Sequence, residues 1–467
     1  HLSDRRQRQM CIRDRFYYIG MELYVLCRLK MYPMLRFCNV PLFLILVMWP
    51  LLLDAQTLIT DTNIQTAVDL WVDDEVAATA AYGHISTWNT SAVTDMSGLF
   101  EDKNAFNDDI NNWEVSAVTD MNNMFNNAHA FNQDIGNWNV SSVTDMSRMF
   151  NDADAFNEDI GTWNVSTVTD MSYMFASTNA FDQNIGNWNV GSVTDMRSMF
   201  LFARVFNQYI GDWDVSSVLD MKQMFNAAFL FNQNIGDWDV SDVTTMENMF
   251  NNAYAFDGDI GDWDVSAVIE MDYMFYNCFA FNQDLSGWDV TSVTDMTNMF
   301  NDNLLFNQDV GDWDVSSVTK MSGMFGGAES FNQDIGDWDV SAVTSMSSMF
   351  SGAVLFNQDL SGWCVENFNS SPTRFALNSA MDEADLPNWG SSCISVNDFS
   401  VFSILDGNKF HITEEYQKAI DHFNDVTNAN PPATLQDFAD AVIVDGEIHM
   451  TVSLQNIVDA INAGGLD

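Results

Sequence analysis

Apolar residues recur along this chain with a single dominant period. Trp occupies positions 88, 113, 138, 163, 188, 213, 238, 263, 288, 313, 338 and 363, a spacing of 25 at every step. An uninterrupted period of this length is the signature of stacked units, each too small to bury its own apolar face. Within the unit 135–159, Trp138 and Val140 alternate with Asn137, Asn139 and Ser141, which predicts a short strand with one buried face. Met146, Met149, Phe150 and Ala153 follow at i, i+3, i+4 and i+7, which predicts a two-turn helix, with Thr144 or Asp145 placed to cap it. Phe156 then leads into the next unit. Neighbouring units are expected to stack strand beside parallel strand at about 4.8 Å.

In such a stack every repeat position becomes a column. The Trp column and the Met/Phe pair, as in Met221, Met224 and Phe225, read as core, with a sugar-stacking platform as the lesser reading of the tryptophans. The column of Asn132, Asn157, Asn232, Asn282, Asn307, Asn332 and Asn357 sits at a turn, where side-chain amides can satisfy backbone groups between units. Cys278 stands where other units carry Ala253 and Ala328, and reads as a small buried residue with an inert thiol.

The flanks differ from the repeats. Residues 1–15 read neither as a signal nor as a fold, resemble translated adapter sequence, and are set aside. Lys30 and Arg36 precede the apolar run Val40–Leu53, which is too short for a membrane span and contains Pro41 and Pro50. About 34–55 is therefore read as a signal peptide within a leader covering 1–55, leaving no transmembrane span after cleavage. Residues 56–87 precede the repeats, eleven 25-residue units fill 88–362, and a degenerate final unit covers 363–393. Residues 394–467 carry helix-like patterns at 413–428 and 434–463, separated by Pro431 and Pro432. They are expected to form a small helical tail of unknown role, or a truncated piece of something longer.

Charge changes the picture next. The chain has 17 Lys+Arg against 66 Asp+Glu, a net charge of -49. Eight of the basic residues and three of the acidic ones lie in 1–36, so the remainder carries nine against 63, or -54. Nucleic acid is an improbable partner, because a phosphate-binding surface needs clustered Lys and Arg. The acidity serves solubility or meets cationic partners. It concentrates in two columns expected on the outer face of the sheet: Asp214, Asp239, Asp264, Asp289, Asp314 and Asp339 after Trp, and Asp212, Asp237, Asp262, Asp312 and Asp337 before it. Earlier units carry Asn89, Glu114, Asn139, Asn164 and Asn189 after Trp, so the face is graded from nearly neutral to acidic. Bound divalent cations, raised carboxylate pKa values or salt screening could offset the repulsion along such rows. Calcium is chemically plausible, although no EF-hand loop or nonapeptide calcium repeat is present.

The unit W-x-V-S-x-V-T-D-M-x-x-M-F-x-x-A-x-x-F-N-Q-D-I resembles the repeat of BspA-type surface proteins, also found in mycoplasma lipoproteins of unknown function. Ile135-x-x-Trp138-x-Val140-x-x-Val143 matches leucine-rich-repeat spacing. The resemblance implies an α/β repeat fold, a right-handed leucine-rich-repeat-like solenoid with one short parallel strand and one short helix per coil, at a cell-surface or secreted location. Residues 61–87 look like the N-terminal cap of such proteins and 361–393 like their terminal cap. Cys364 and Cys393 bracket that last unit, and a disulfide between them is preferred over free thiols.

No catalytic residue is expected: His84, His129, His411, His422 and His449 share no spacing with a nucleophile or a metal-ligand pattern. The leading expectation is a binding or adhesion scaffold that engages a protein, glycan or cationic surface through its acidic face. The alternative is a structural envelope or matrix protein assembled through divalent cations, without a discrete ligand.

Overall fold

A computed structural model describes residues 57–390 and, beyond them, only the backbone of four short strands. The described residues from Leu58 to Gly390 fall in one compact unit. The leader, with its expected signal peptide, lies outside the described residues.

Two helices open the described chain. Ile64, Ala67, Val68 and Trp71 fall on one face of α1 (Ile64–Asp73) and are buried. The Asp74 side chain accepts from the Ala77 N–H at 3.0 Å to start α2 (Glu75–Tyr82), and Gly83, at φ 83°, ends it. Both helices cover the first repeat. Trp71 meets Trp88 edge to face at 6.2 Å, its Nε1 donates to Asp108 Oδ2 at 2.8 Å, and Gln65 Nε2 donates to the Leu99 carbonyl at 3.3 Å.

From there each unit hydrogen-bonds to the next at an offset near 25 residues. Ten isolated parallel bridges run in one line from Asp95↔Asp120 to Lys320↔Ser345. In the unit containing Asp145, the N–H groups of Met146, Arg148, Phe150 and Asp152 donate forward to the carbonyls of Asp170, Ser172, Met174 and Ala176, at 2.8–3.0 Å. The intervening N–H groups of Met149, Asn151 and Ala153 turn back three residues, to Met146, Arg148 and Phe150.

The expected helix therefore does not form. Arg148 and Asp152 have φ of 55° and 54°, and the equivalent positions of other units are left-handed as well. A left-handed residue every fourth position breaks a right-handed helix into two consecutive four-residue turns. Inward positions of such turns recur at i, i+3, i+4 and i+7 just as they would on a helix, which is why the apolar pattern misleads. The left-handed conformation costs an ordinary L-residue about 1–2 kcal/mol. Asn, Asp and Gly, which tolerate it best, hold many of these positions.

The expected strand at Trp138–Val140 is also corrected. These residues belong to no ladder: the Trp138 N–H donates to the Ile135 carbonyl and the Val143 N–H to the Val140 carbonyl, both turn contacts. Parallel pairing falls at the Asp145 column, seven residues later. The inward alternation of Trp138 and Val140 does hold, and both are buried.

The core is a set of side-chain ladders. From Trp163 to Trp263 successive indoles stack at 6.4–6.5 Å and within 3° of parallel. Each is 3–4% exposed, so the sugar-platform reading does not hold. A buried indole N–H needs an acceptor, and Trp188 Nε1, for example, donates to the Ile160 carbonyl at 3.1 Å. Two Phe columns interlock, as Phe150 stacks on Phe156 at 4.0 Å within its unit and on Phe175 at 5.8 Å in the next. The Asn column works between units as expected: the Asn157 N–H donates to Asn132 Oδ1 at 2.8 Å, and Asn157 Oδ1 in turn accepts from the Asp182 N–H at 2.9 Å.

At the far end the ladder turns. Phe375 meets Phe350 edge to face at 81°, and Trp389 meets Phe375 at 78°, so neither continues the parallel stack. Cys364 is disulfide-bonded, and Cys393, its expected partner, lies outside the described residues. In the tail, β1 (Ser403–Asp406) pairs antiparallel with β2 (Lys409–Ile412), and β3 (Val442–Val444) with β4 (Glu447–His449). A wholly helical tail is thus corrected at 442–449. There the β-branched Val442, Ile443 and Val444 and the two-residue connection Asp445-Gly446 favour a hairpin over the helical period.

Candidate functional site

Both acidic columns are exposed, on either side of the buried Trp. They do not stand on a paired parallel sheet, because the bridges run through the Asp95–Ser345 column instead. Their local geometry has its own cause. Asp214 Oδ1 accepts from the Ser216 N–H at 3.2 Å and from its hydroxyl at 2.6 Å. The same contact to the backbone N–H two residues on recurs at Asp239, Asp264, Asp289, Asp314 and Asp339, at 3.0–3.2 Å. This is the Asx turn, in which a short acceptor side chain mimics a backbone carbonyl.

Earlier units make the same turn without the charge. Asn89, Asn139, Asn164 and Asn189 accept from the corresponding N–H groups at 3.1–3.3 Å. Either an amide or a carboxylate oxygen can therefore make the turn at this column. The Ser216, Ser266 and Ser316 hydroxyls, with their backbone N–H groups, hold the Asp214, Asp264 and Asp314 carboxyls below the usual range. Raised pKa values are therefore not how these three offset their mutual repulsion. In the column before Trp, Asp212 accepts from the Tyr209 hydroxyl at 3.0 Å, and Asp237, Asp262, Asp312 and Asp337 are likewise exposed.

Raised carboxyl values occur along the bridge column and its neighbour, a region that reading outward from Trp does not reach. Burial pushes up Asp120 and Asp195. Asp272 rises to about 6, through burial first and then the nearby Glu247, Asp295 and Glu270. Two lysines flank this group: Lys222 pairs with Glu247, and Lys320 Nζ lies 2.8 Å from Asp295 Oδ2. Burial pushes Asp295 up, but Lys320 and Thr297 overcome it, so its carboxyl is held below the usual range. The sequence carries a signal here, since Glu247 and Asp272 occupy a column otherwise filled by residues such as Ser147, Ser172, Thr297 and Ser322.

Among the described residues, no group of three or more His, Cys, Asp or Glu side chains is placed to hold a metal ion, and no helix is long and apolar enough to cross a membrane. Cys278 is buried, its Sγ donates to the Ala253 carbonyl at 3.1 Å, and burial pushes its thiol well up, leaving it inert as expected.

Identical columns, turns and inter-unit bonds define the chain as a tandem-repeat protein. Residues 74–188, 169–288 and 270–389 each match the family described as "Mycoplasma protein of unknown function, DUF285", and the three overlapping matches cover more than half of the chain. The chain belongs to that family. No curated protein and no solved structure matches it.

Proposed function

We propose that this repeat protein is a secreted or cell-surface binding scaffold, without enzymatic activity, whose acidic columns engage cationic regions of protein or glycan-bearing surfaces. We further read the stack as a right-handed leucine-rich-repeat-like solenoid of the BspA type, with turns in place of the strand and helix. Strictly periodic parallel bridges support that class, and the family description leaves activity open.

The observation that carries the functional reading is the exchange of Asn for Asp at one structural position. Asn189 and Asp214 make the same turn in successive units, yet from Asp214 to Asp339 every unit carries the charge. Charge that folding does not require is available for recognition. Like charges about 5 Å apart in water repel by roughly 0.8 kcal/mol, and a cationic partner would offset whatever repulsion the row carries.

The test replaces Asp214, Asp239, Asp264, Asp289, Asp314 and Asp339 together by Asn in the full chain. Asn already makes this turn in earlier units, so the variant should stay folded, with at most a small fall in melting temperature from weaker bonds to the Ser216, Ser266 and Ser316 hydroxyls. Binding to immobilised poly-lysine in about 0.15 M salt should weaken at least tenfold. Undiminished binding would sink the proposal. Assembly of the parent chain on adding calcium, with no poly-lysine binding, would replace it by the structural-envelope alternative.

A further inference from the structure

A second surface, unrelated to the acidic columns, lies on the column that contains Asp154. In the first units this column is polar and internally bonded: His129 Nδ1 lies 3.1 Å from Asp154 Oδ2, and Asn179 Nδ2 donates to Asp154 Oδ1 at 2.6 Å. The next residues in the column are Arg204, Phe229, Tyr254, Phe279 and Leu304, and then Glu329. Phe229 stacks on Tyr254 at 4.7 Å and 6°, Tyr254 on Phe279 at 5.0 Å and 10°, and the Arg204 guanidinium covers the outer face of Phe229 at 5.5 Å.

These rings are not core. Tyr254 and Phe279 remain 38% and 37% exposed. In the adjoining column Leu230 and Leu305 are 53% and 54% exposed, where other units carry Ala155, Ala255 or Ser330. Since polar residues serve the same positions elsewhere, the apolar strip answers no demand of the fold. Contiguous exposed apolar surface of this kind marks an interaction site.

The geometry selects the partner. Both faces of Phe229 and Tyr254 and one face of Phe279 are covered by neighbours, so the strip presents mainly ring edges and aliphatic tips, a surface better suited to apolar side chains than to sugars, which need open faces. At the Leu304 end stand two carboxylates. Asp302 is pushed up by burial and by nearby Glu329, and neither residue forms an ion pair among the described residues. A second copy of this chain would bring another -49 charges against the first. A cationic segment is attracted instead.

We propose that the strip from Phe229 to Leu304 docks a polypeptide segment whose apolar side chains are followed by lysine or arginine, the cation lying over Asp302 and Glu329. This site goes beyond the acidic columns and stands or falls separately from them.

The experiment measures binding of the full chain to a dye-labelled peptide of alternating Leu and Lys, with a Leu/Glu counterpart and poly-lysine as comparisons. The parent should bind the Leu/Lys peptide and not the Leu/Glu one. Phe229→Asn with Tyr254→Asn and Phe279→Asn, the residue type that Asn179 already supplies in this column, should weaken that binding at least tenfold while leaving the melting temperature and poly-lysine binding unchanged. Asp302→Asn with Glu329→Gln should weaken it as well. If the triple variant loses stability, Tyr254→Asn alone should still weaken the Leu/Lys peptide. Parent-like affinity in these aromatic variants overturns the proposal, even where the Asp214 series still reduces poly-lysine binding. So does a parent dimer in sedimentation that the triple variant abolishes, because the strip would then be covered by a second copy.

Discussion

The Asp61 carboxylate closes the first repeat by accepting the Thr94 backbone N–H at 2.7 Å and the Thr94 hydroxyl at 2.9 Å. Inside the stack the preceding unit supplies that acceptor, as the Thr119 carbonyl does for the Thr144 N–H at 2.9 Å. Asp61 thus stands in for a missing neighbour. The Thr94 N–H holds its carboxyl below the usual range, ahead of the opposing effect of burial.

Asp61→Ala should therefore destabilise the N-terminal end by about 1 kcal/mol, the net worth of an exposed charge-assisted bond. Because the folded-state pKa is depressed, this contribution is present above the ordinary carboxyl pKa and is lost as pH falls through the depressed value. Hydrogen exchange at Thr94 and Asp95 in the two proteins measures it. Equal protection in the variant at neutral pH would refute the capping role.

How far the sequence could be read depended on repetition. Trp138, Val140, Met146, Met149 and Phe150 were legible as core because each recurs at the same step and each is buried. The local backbone was not, because two successive four-residue turns and a two-turn helix share the spacing of Met146, Met149, Phe150 and Ala153. Only the left-handed φ of Arg148 and Asp152 separates them. The acidic columns were visible as charge, but their Asx-turn role was not read, although the Asp214-x-Ser216 spacing recurs as Asp264-x-Ser266 and Asp314-x-Ser316. Asp61 occurs once, so no period points to it. The Phe229–Tyr254–Phe279 strip was missed for a related reason: it departs from the consensus, and a search for what repeats passes over it.

Asn303 is a misfit of a different kind. It is fully buried in the column that holds Ala253, Cys278 and Ala328, and its Nδ2 has no partner among the described residues. Its Oδ1 accepts from the Phe306 N–H at 3.3 Å, a donor that in the next unit is satisfied by a carbonyl, Phe331 N–H to Ala328 at 3.2 Å. Asn303→Ala removes the unsatisfied amide, and the Phe306 N–H can revert to the backbone acceptor. A gain of about 1 kcal/mol is expected, read as a rise of roughly 2 °C in melting temperature. A fall in melting temperature would instead show that Nδ2 has a bonded partner and that the polar residue supports the unit.

Asp272 couples the stack to pH in the opposite sense from Asp61. Its carboxyl, pushed up from 3.8 to about 6 by burial and by Glu247, Asp295 and Glu270, favours the protonated form in the folded chain. Its stabilising effect is full below about pH 4 and is lost as pH rises through about 6. Since the group is only half-buried, solvent screening limits the effect to about 1 kcal/mol. Lys222 and Lys320 do not remove it, because they are engaged with Glu247 and Asp295. Asp272→Asn, which keeps the shape without the charge, should raise the melting temperature at pH 7.5 and leave it nearly unchanged at pH 4. Melting curves of parent and variant across that window measure the difference. A gain of equal size at both pH values would assign the effect to packing or hydrogen bonding rather than to ionisation, and the electrostatic account of this cluster would fail.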